Sequence, residues 1–271
     1  MEPFQIKSKQ WMALDTWMNQ HPSLVAGFTT KDEGVSSFPT EALNLAFHVS
    51  DLEENVQENR ERLAEQLNFP VQHWVSTEQV HGTDITLINS NDRGKGAYSL
   101  ETCIPKTDGL ITRESDVLLT LCYADCVPLF FLDPDTKWIG VAHAGWKGTT
   151  GNIASKMVKA LCEQGVKLNQ IQVAVGPSIC KKCYKVDQRV ISAVNAVLSE
   201  HDPKPYQELE AGQFSLDLKE LNVQLLKNAG IPETNILSTG YCSSCDQKLF
   251  FSHRRDQGKT GRMLSFIGWR E

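Results

Sequence analysis

The 271-residue chain contains no apolar run approaching 18 residues. Its longest candidate, Val117 to Leu132, is interrupted by Asp125 and Pro128, so a membrane-spanning helix is not expected. The first residues, MEPFQIKSKQWMALDTW, lack the continuous apolar core of a secretory signal, which sets the expectation of a cytoplasmic protein. Basic residues are in deficit, 27 Lys+Arg against 33 Asp+Glu, for a formal charge of −6. That balance argues against nucleic acid or an acidic membrane as partner, since both require a basic face. There is no tandem repeat and no low-complexity segment. With 41% hydrophobic and 22% charged residues the composition excludes a disordered chain, and the length suits a single domain over 1–271 with a substantial core.

What the sequence has in excess is sulfur and imidazole, with eight cysteines and seven histidines. In a reducing compartment those cysteines are thiols or metal ligands before they are disulfides. The apolar periodicity predicts strands at 23–30, 73–77, 84–89, 109–112, 117–123, the LFFL run after Pro128, 138–144, 171–175, 235–239, 248–252 and 263–267. It predicts helices over 51–67, with Ser50 and Glu53 as a capping box and Leu52, Val56, Leu63 and Leu67 on one face, then 152–164, 188–200 and 216–228. Asp217 and Glu220 stand at capping-box spacing, Gly230 is a helix stop, and 201–212 reads as a loop. Strands with amphipathic helices between them give a mixed α/β (α+β) protein of sheets covered by helices. Pro128 is expected to bend the strand near Cys126.

The densest chemistry lies between Ser76 and Thr150, where His81, Cys126 and His143 each end an apolar strand-like run. Two imidazoles and one thiolate suit Zn²⁺, and three protein ligands with an open fourth position is the pattern of a catalytic zinc. The same residues also read as a Cys126 nucleophile with His81 or His143 as base, or as a core thiol beside hydrogen-bonded histidines. Cys122 falls to the core. Gly145, Gly148 and Gly151 flank Thr149 and Thr150 ahead of a helix start, an arrangement suited to phosphate or to a tight turn, although the Walker A pattern is absent. Cys180-x2-Cys183 and Cys242-x2-Cys245 are paired knuckles of the structural-zinc kind, separated by a gap long for a zinc ribbon; four unligated loop thiols are the alternative. Cys103 and Cys162 read as packing residues. Arg254, Arg255 and Arg262 surround the turn at 256–259, which suits phosphate or a solvated hairpin, and Asn44 and Arg60 are polar groups beside apolar runs.

EQVHG (78–82), ADCVP (124–128) and HAGWKGT (143–149), in that order, resemble the purine nucleoside phosphorylase family once labelled polyphenol oxidases or laccase-domain proteins. GFTTKDEGVS (27–36), NL (44–45), NR (59–60), KTDGLI (106–111), GPSI (176–179) and SHRRDQGKTGR (252–262) extend the likeness over nearly the whole chain. The resemblance implies a layered α/β/β/α sandwich and a catalytic zinc held by His81, Cys126 and His143. It also implies phosphate-dependent cleavage of adenosine, inosine and S-methyl-5′-thioadenosine to free base and ribose 1-phosphate (or its methylthio analogue), together with adenosine deamination. Purine nucleosides and phosphate are then the partners, and a homodimer is compatible with it.

The oxidase label fits the residues less well. No histidine stands two residues from another, so the His-x-His pairs of multicopper oxidases are missing, although copper also binds N and S ligands. The zinc deaminase signature H-x-E with P-C-x-x-C is absent as well, so any deamination uses a differently built site. Within the phosphorylase reading, Arg60 and the Gly145–Thr149 turn are expected to hold phosphate, and Asp125 or Asp108 to donate a proton to the departing base. Its rivals are a cysteine hydrolase using Cys126 and His143, a copper-dependent polyphenol oxidase, and a metal-binding interaction protein built on the two C-x2-C pairs.

Overall fold

A computed structural model describes residues 2–210 and 212–271. The chain runs through β1 (Phe4–Ile6), β2 (Trp11–Leu14), α1 (Asp15–Gln20), β3 (Leu24–Thr29), α2 (Glu53–Leu67), β4 (Trp74–Val75), β5 (Ile85–Leu87) and β6 (Gly109–Thr112). It continues with β7 (Val117–Tyr123), β8 (Val127–Asp133), β9 (Trp138–Ala144), α3 (Trp146–Thr150), α4 (Ile153–Glu163), β10 (Gln172–Val175) and β11 (Lys185–Asp187). The last elements are α5 (Gln188–Val197), β12 (Tyr206–Glu210), β13 (Gln213–Leu216), α6 (Leu218–Asn228), β14 (Ile236–Ser238) and β15 (Met263–Trp269).

Two six-stranded sheets, ordered β1-β2-β3-β15-β7-β4 and β14-β10-β8-β9-β6-β5, carry the molecule, and a three-stranded sheet β11-β13-β12 is added to them. The layering follows from the two-residue side-chain period of a strand. Along β8, Val127, Leu129 and Phe131 pack with α4, α5 and α6, while Phe130 and Leu132 point the other way. That inner face meets Leu119, Leu121 and Tyr123 of β7, so the two sheets share one core between them. On the far side of the first sheet Ala13, Val25, Leu118, Leu264 and Phe266 are covered by Leu63, Ala64 and Leu67 of α2. The order is therefore α2, sheet, sheet, then α4 to α6: the expected α/β/β/α sandwich. With both sheets covered on both faces, their central strands read as unbroken apolar runs. Among the described residues no helix is long and apolar enough to cross a membrane.

Several local expectations are corrected. α2 has no Ser50–Glu53 capping box: its N-cap is Leu52, whose backbone N–H donates to Asp51 at 2.9 Å, and Leu52 itself is 66% exposed rather than inward. Residues 248–252 form no strand, because the apolar Phe250 and Phe251 are buried by an irregular turn rather than by a ladder. Part of 201–212, expected as a loop, is β12, paired antiparallel with β13. Pro128 lies inside β8 opposite His143, and the break in the Val117–Leu132 run is the turn Ala124–Cys126, where Asp125 has φ +86°. Asp217 does cap α6, accepting from Glu220 N at 3.0 Å, and Gly230 follows the helix with φ +93°.

Candidate metal centre and active site

His81, Cys126 and His143 converge at one end of the second sheet. Their ligand atoms all lie within 4.8 Å of one another. Each arrives by a different device. His143 is the penultimate residue of β9, buried between the sheets, with its ring edge-on to Tyr123 at 5.4 Å. Cys126 closes the tight turn that feeds β8, the hydrogen-bonded neighbour of β9. His81 sits in a loop with φ +58°, and that loop is pinned by one carboxylate: Asp108 accepts from the backbone N–H groups of Val80, His81 and Gly82 at 3.1, 3.1 and 2.7 Å.

Asp108 also faces His143 Nδ1 at 2.8 Å. A carboxylate on Nδ1 fixes the tautomer and leaves Nε2 to meet a metal, the arrangement that orients metal-bound histidines elsewhere. Burial pushes the Asp108 carboxyl up, but His143 and the backbone N–H groups reverse this and hold it below the usual range. Asp108 thus braces both histidines. Burial likewise pushes the Cys126 thiol up, and the imidazoles of His143 and His81 more than reverse it, bringing it to about 6. His143, which burial alone would lower, is raised to about 9 by the Cys126 thiolate and Asp108.

The donor set suits a metal. The sulfur is held as thiolate, one imidazole has its outer nitrogen occupied, and Gly145 keeps the space above the triple open: a Cβ there would lie 3.0 Å from both Cys126 Sγ and His81 Cδ2. Two nitrogens and one sulfur suit zinc and also copper.

The triple lines a cavity of about 510 Å³, within the range of small-molecule pockets. Asp125 lines it too; Ser243 Oγ and Arg254 N donate to its carboxylate at 2.6 and 2.7 Å. Cys122, expected in the core, does pack there but also reaches the cavity, with its backbone clamped by Gln79, whose amide accepts from Cys122 N at 2.7 Å and donates to Cys122 O at 2.8 Å. Tyr184 and Trp146 supply aromatic wall, and Lys147, Arg254 and Arg262 supply cations.

Arg60 does not join this site. It is 2% exposed, its guanidinium donates to the carbonyls of Leu45, Gly96 and Ala97 at 2.6–3.0 Å, and it stacks on Phe47. An arginine whose donors are spent on backbone oxygens holds loops together and has no fork left for phosphate. Arg255 is similarly engaged, with Asp256 at 2.7 Å. The Gly145–Thr149 stretch is the start of α3, with Gly145 as N-cap. Asn44 proves to be a brace, accepting from Arg262 N at 3.0 Å. Gln79, Tyr184, Trp146 and His48 were not singled out from the sequence. Gln79 lies inside the EQVHG motif and Tyr184 directly follows a C-x2-C pair, so their positions, though not their roles, were visible.

The family model described as "Multi-copper polyphenol oxidoreductase laccase" matches residues 25–270. The chain is 46% identical over 269 residues to the purine nucleoside phosphorylase YlmD of Geobacillus stearothermophilus, covering 99% of this chain and 97% of the relative. It is 44% identical over 273 residues to the protein of the same name from Bacillus subtilis, covering 99% and 98%. The crystal structure of YlmD from Geobacillus stearothermophilus superposes with a TM-score of 0.97 at 46% identity, covering all of both chains.

Proposed function

The chain belongs to the laccase-like family whose model it matches and to the family of its relatives named purine nucleoside phosphorylase, and from that premise we propose that it is a zinc-dependent purine nucleoside phosphorylase. The observation that carries this reading is the convergence of His81, Cys126 and His143 in a cavity large enough for a small ligand. His81, Cys126 and His143 would hold the metal, which when bound supplies a Lewis acid at an open position. The substrates are adenosine, inosine and S-methyl-5′-thioadenosine. Phosphorolysis breaks the bond between C1′ and the purine nitrogen and forms one between C1′ and a phosphate oxygen.

The protein's own groups divide the remaining work. Tyr184 and Trp146 flank the planar purine, which buries its faces against aromatic surface. Arg262, Arg254 and Lys147 hold phosphate, replacing Arg60 in that role. Asp125, braced by Ser243 and by the backbone of Arg254, presents a carboxyl to the nucleoside at the proton-transfer position. Asp108 positions His143 and the His81 loop without touching substrate. Deamination of adenosine to inosine is a second reaction of the same cavity.

The test is base release from purified protein given inosine or adenosine with and without phosphate. Phosphate-dependent hypoxanthine or adenine, with ribose 1-phosphate in equal amount, supports the proposal. No turnover of any nucleoside ends it. One observation favours a second reading: Cys126 Sγ and a His143 ring nitrogen lie within 4.8 Å of each other, the pairing of a cysteine nucleophile with its base. Iodoacetamide labelling of Cys126 in metal-loaded protein, with activity untouched by chelator, selects that reading instead.

A further inference from the structure

A second sulfur cluster lies beside the cavity and takes no part in the chemistry above. Cys180 and Cys183 follow β10, Cys242 and Cys245 follow β14, and β10 and β14 are parallel neighbours in the second sheet. The ladder is extended by a bridge between Ser178 and Cys242, which brings the two C-x2-C turns face to face across the long sequence gap. All four Sγ atoms lie within 4.8 Å of one another. Cys180–Cys245 and Cys183–Cys245 are 3.8 and 3.4 Å apart. Four sulfurs at about 2.3 Å around one tetrahedral zinc stand about 3.8 Å from each other, whereas a disulfide requires about 2.05 Å.

The backbone around the cluster is arranged for thiolates. Cys180 N and Cys245 N both donate to Cys242 Sγ, at 3.2 and 3.4 Å. Four thiolates carry two negative charges more than a divalent metal neutralises, and side chains of both signs stand nearby, Asp246 accepting from Cys242 N at 2.8 Å. Lys181 and Lys182 lie inside the first turn. The buried Lys219 ammonium donates to the carbonyls of Thr239 and Tyr241 at 2.9 Å, the latter directly before Cys242. Arg255 donates to Ser243 O at 3.0 Å.

We propose that Cys180, Cys183, Cys242 and Cys245 form a closed, structural zinc site, distinct from the His81–Cys126–His143 triple. Its place in the fold gives it a task. Ile179 N donates to Asp125 O at 3.0 Å and Ser243 Oγ to the Asp125 carboxylate, so each turn of the cluster is attached to the residue next to Cys126. Tyr184, directly after Cys183, carries the Arg254 guanidinium 5.1 Å over its ring. A metal joining the two turns therefore fixes one wall of the cavity.

The proposal stands independently of the phosphorylase reading, because its test counts metal. Protein purified from zinc-supplemented cells is measured for zinc per chain by mass spectrometry, as wild type, Cys126→Ser and the double variant Cys183→Ser/Cys245→Ser. The expected values are two, one and one, with the double variant melting at lower temperature. Should the double variant fail to fold, Cys126→Ser answers alone: loaded with cobalt, its remaining metal shows the strong sulfur-to-cobalt absorption of a four-thiolate tetrahedral site. A wild type with one zinc and a Cys126→Ser variant with none overturns the proposal. So does a thiol titration of denatured, unreduced wild type that finds four thiols missing and recovers them on reduction.

Discussion

The molecule's two groups of cysteine-bearing ligands differ in what surrounds them, and the difference separates chemistry from architecture. The triple has three donors from three separate stretches of chain, a glycine where a side chain would intrude, and a cavity of about 510 Å³ in front of it. The four-cysteine cluster has its donors in two short turns, backbone N–H groups aimed at sulfur, and no donor other than thiol. An open position next to a cavity is what a reacting ligand needs, and a filled tetrahedron is what a staple needs. The supports differ as well: a single buried carboxylate, Asp108, braces both histidines of the triple, whereas backbone N–H groups of Cys180 and Cys245 support the cluster.

The contrast is broken most severely by Cys126→Ala. Loss of Lewis-acid stabilisation of several kcal/mol corresponds to a fall in kcat/KM of about a thousandfold or more, with the four-cysteine metal retained; steady-state phosphorolysis and metal analysis on one preparation check both halves. Asp108→Asn keeps all three ligands but disturbs the imidazole tautomer and the His81 loop. A loss of about 10–100-fold in metal affinity at the triple is expected, read by competition with a chelator, with no change at the cluster.

Two arginines sharpen the distinction between lining the open site and holding the fold. Arg262→Met is expected to raise the KM for phosphate by about tenfold or more, in line with loss of a charged hydrogen bond. Arg60→Met is expected to leave that KM unchanged and to lower stability by about 3 kcal/mol, because three buried carbonyls lose their donor. Denaturant titration beside phosphate saturation curves separates the two.

The smallest effect concerns pH in metal-free protein. The folded-state value of Cys126, about 6, lies below its ordinary 9.0, so its contribution grows as pH rises above about 6 and is lost as pH falls through that value. His143 is raised from 6.5 to about 9, so its contribution is present at low pH and lost as pH rises through about 9. Between about 6.5 and about 9 one contribution grows as the other fades, so the pair's summed contribution is nearly level from about 6.5 upward and slightly smaller below about 6. A melting temperature about two degrees lower below pH 6 than above pH 6.5 is expected for apo wild type, with that step absent in Cys126→Ala, as scanning calorimetry across pH will record.

How much of this was legible in the sequence depended on range. Most strands and helices followed from local periodicity, whereas the α/β/β/α layering and the triple followed from motifs whose order resembles the family, since spacings of 45 and 17 residues are no local ligand signature. Arg60 was misread because an arginine beside an apolar run looks the same whether its fork meets phosphate or carbonyls; only the approach of Leu45, Gly96 and Ala97 decides it. The four cysteines were visible as two pairs, but what closes the gap is the parallel neighbouring of β10 and β14, a long-range pairing that no local pattern encodes. Phe250 and Phe251 read as a strand because burial, not pairing, sets the apolar pattern there. Asp108 was named from the sequence as a proton donor, but its bracing of the His81 loop was not legible, because the backbone N–H groups it accepts from are more than twenty residues away.

The central claim, that His81, Cys126 and His143 hold the metal at which purine nucleosides meet phosphate, is tested most directly by following hypoxanthine and ribose 1-phosphate from inosine in wild type and Cys126→Ala, each assayed for metal. Equal yields of the two products, dependent on phosphate and abolished together with one equivalent of metal in the variant, is the predicted result. Base release that ignores phosphate, or that survives in Cys126→Ala with its metal content unchanged, contradicts it.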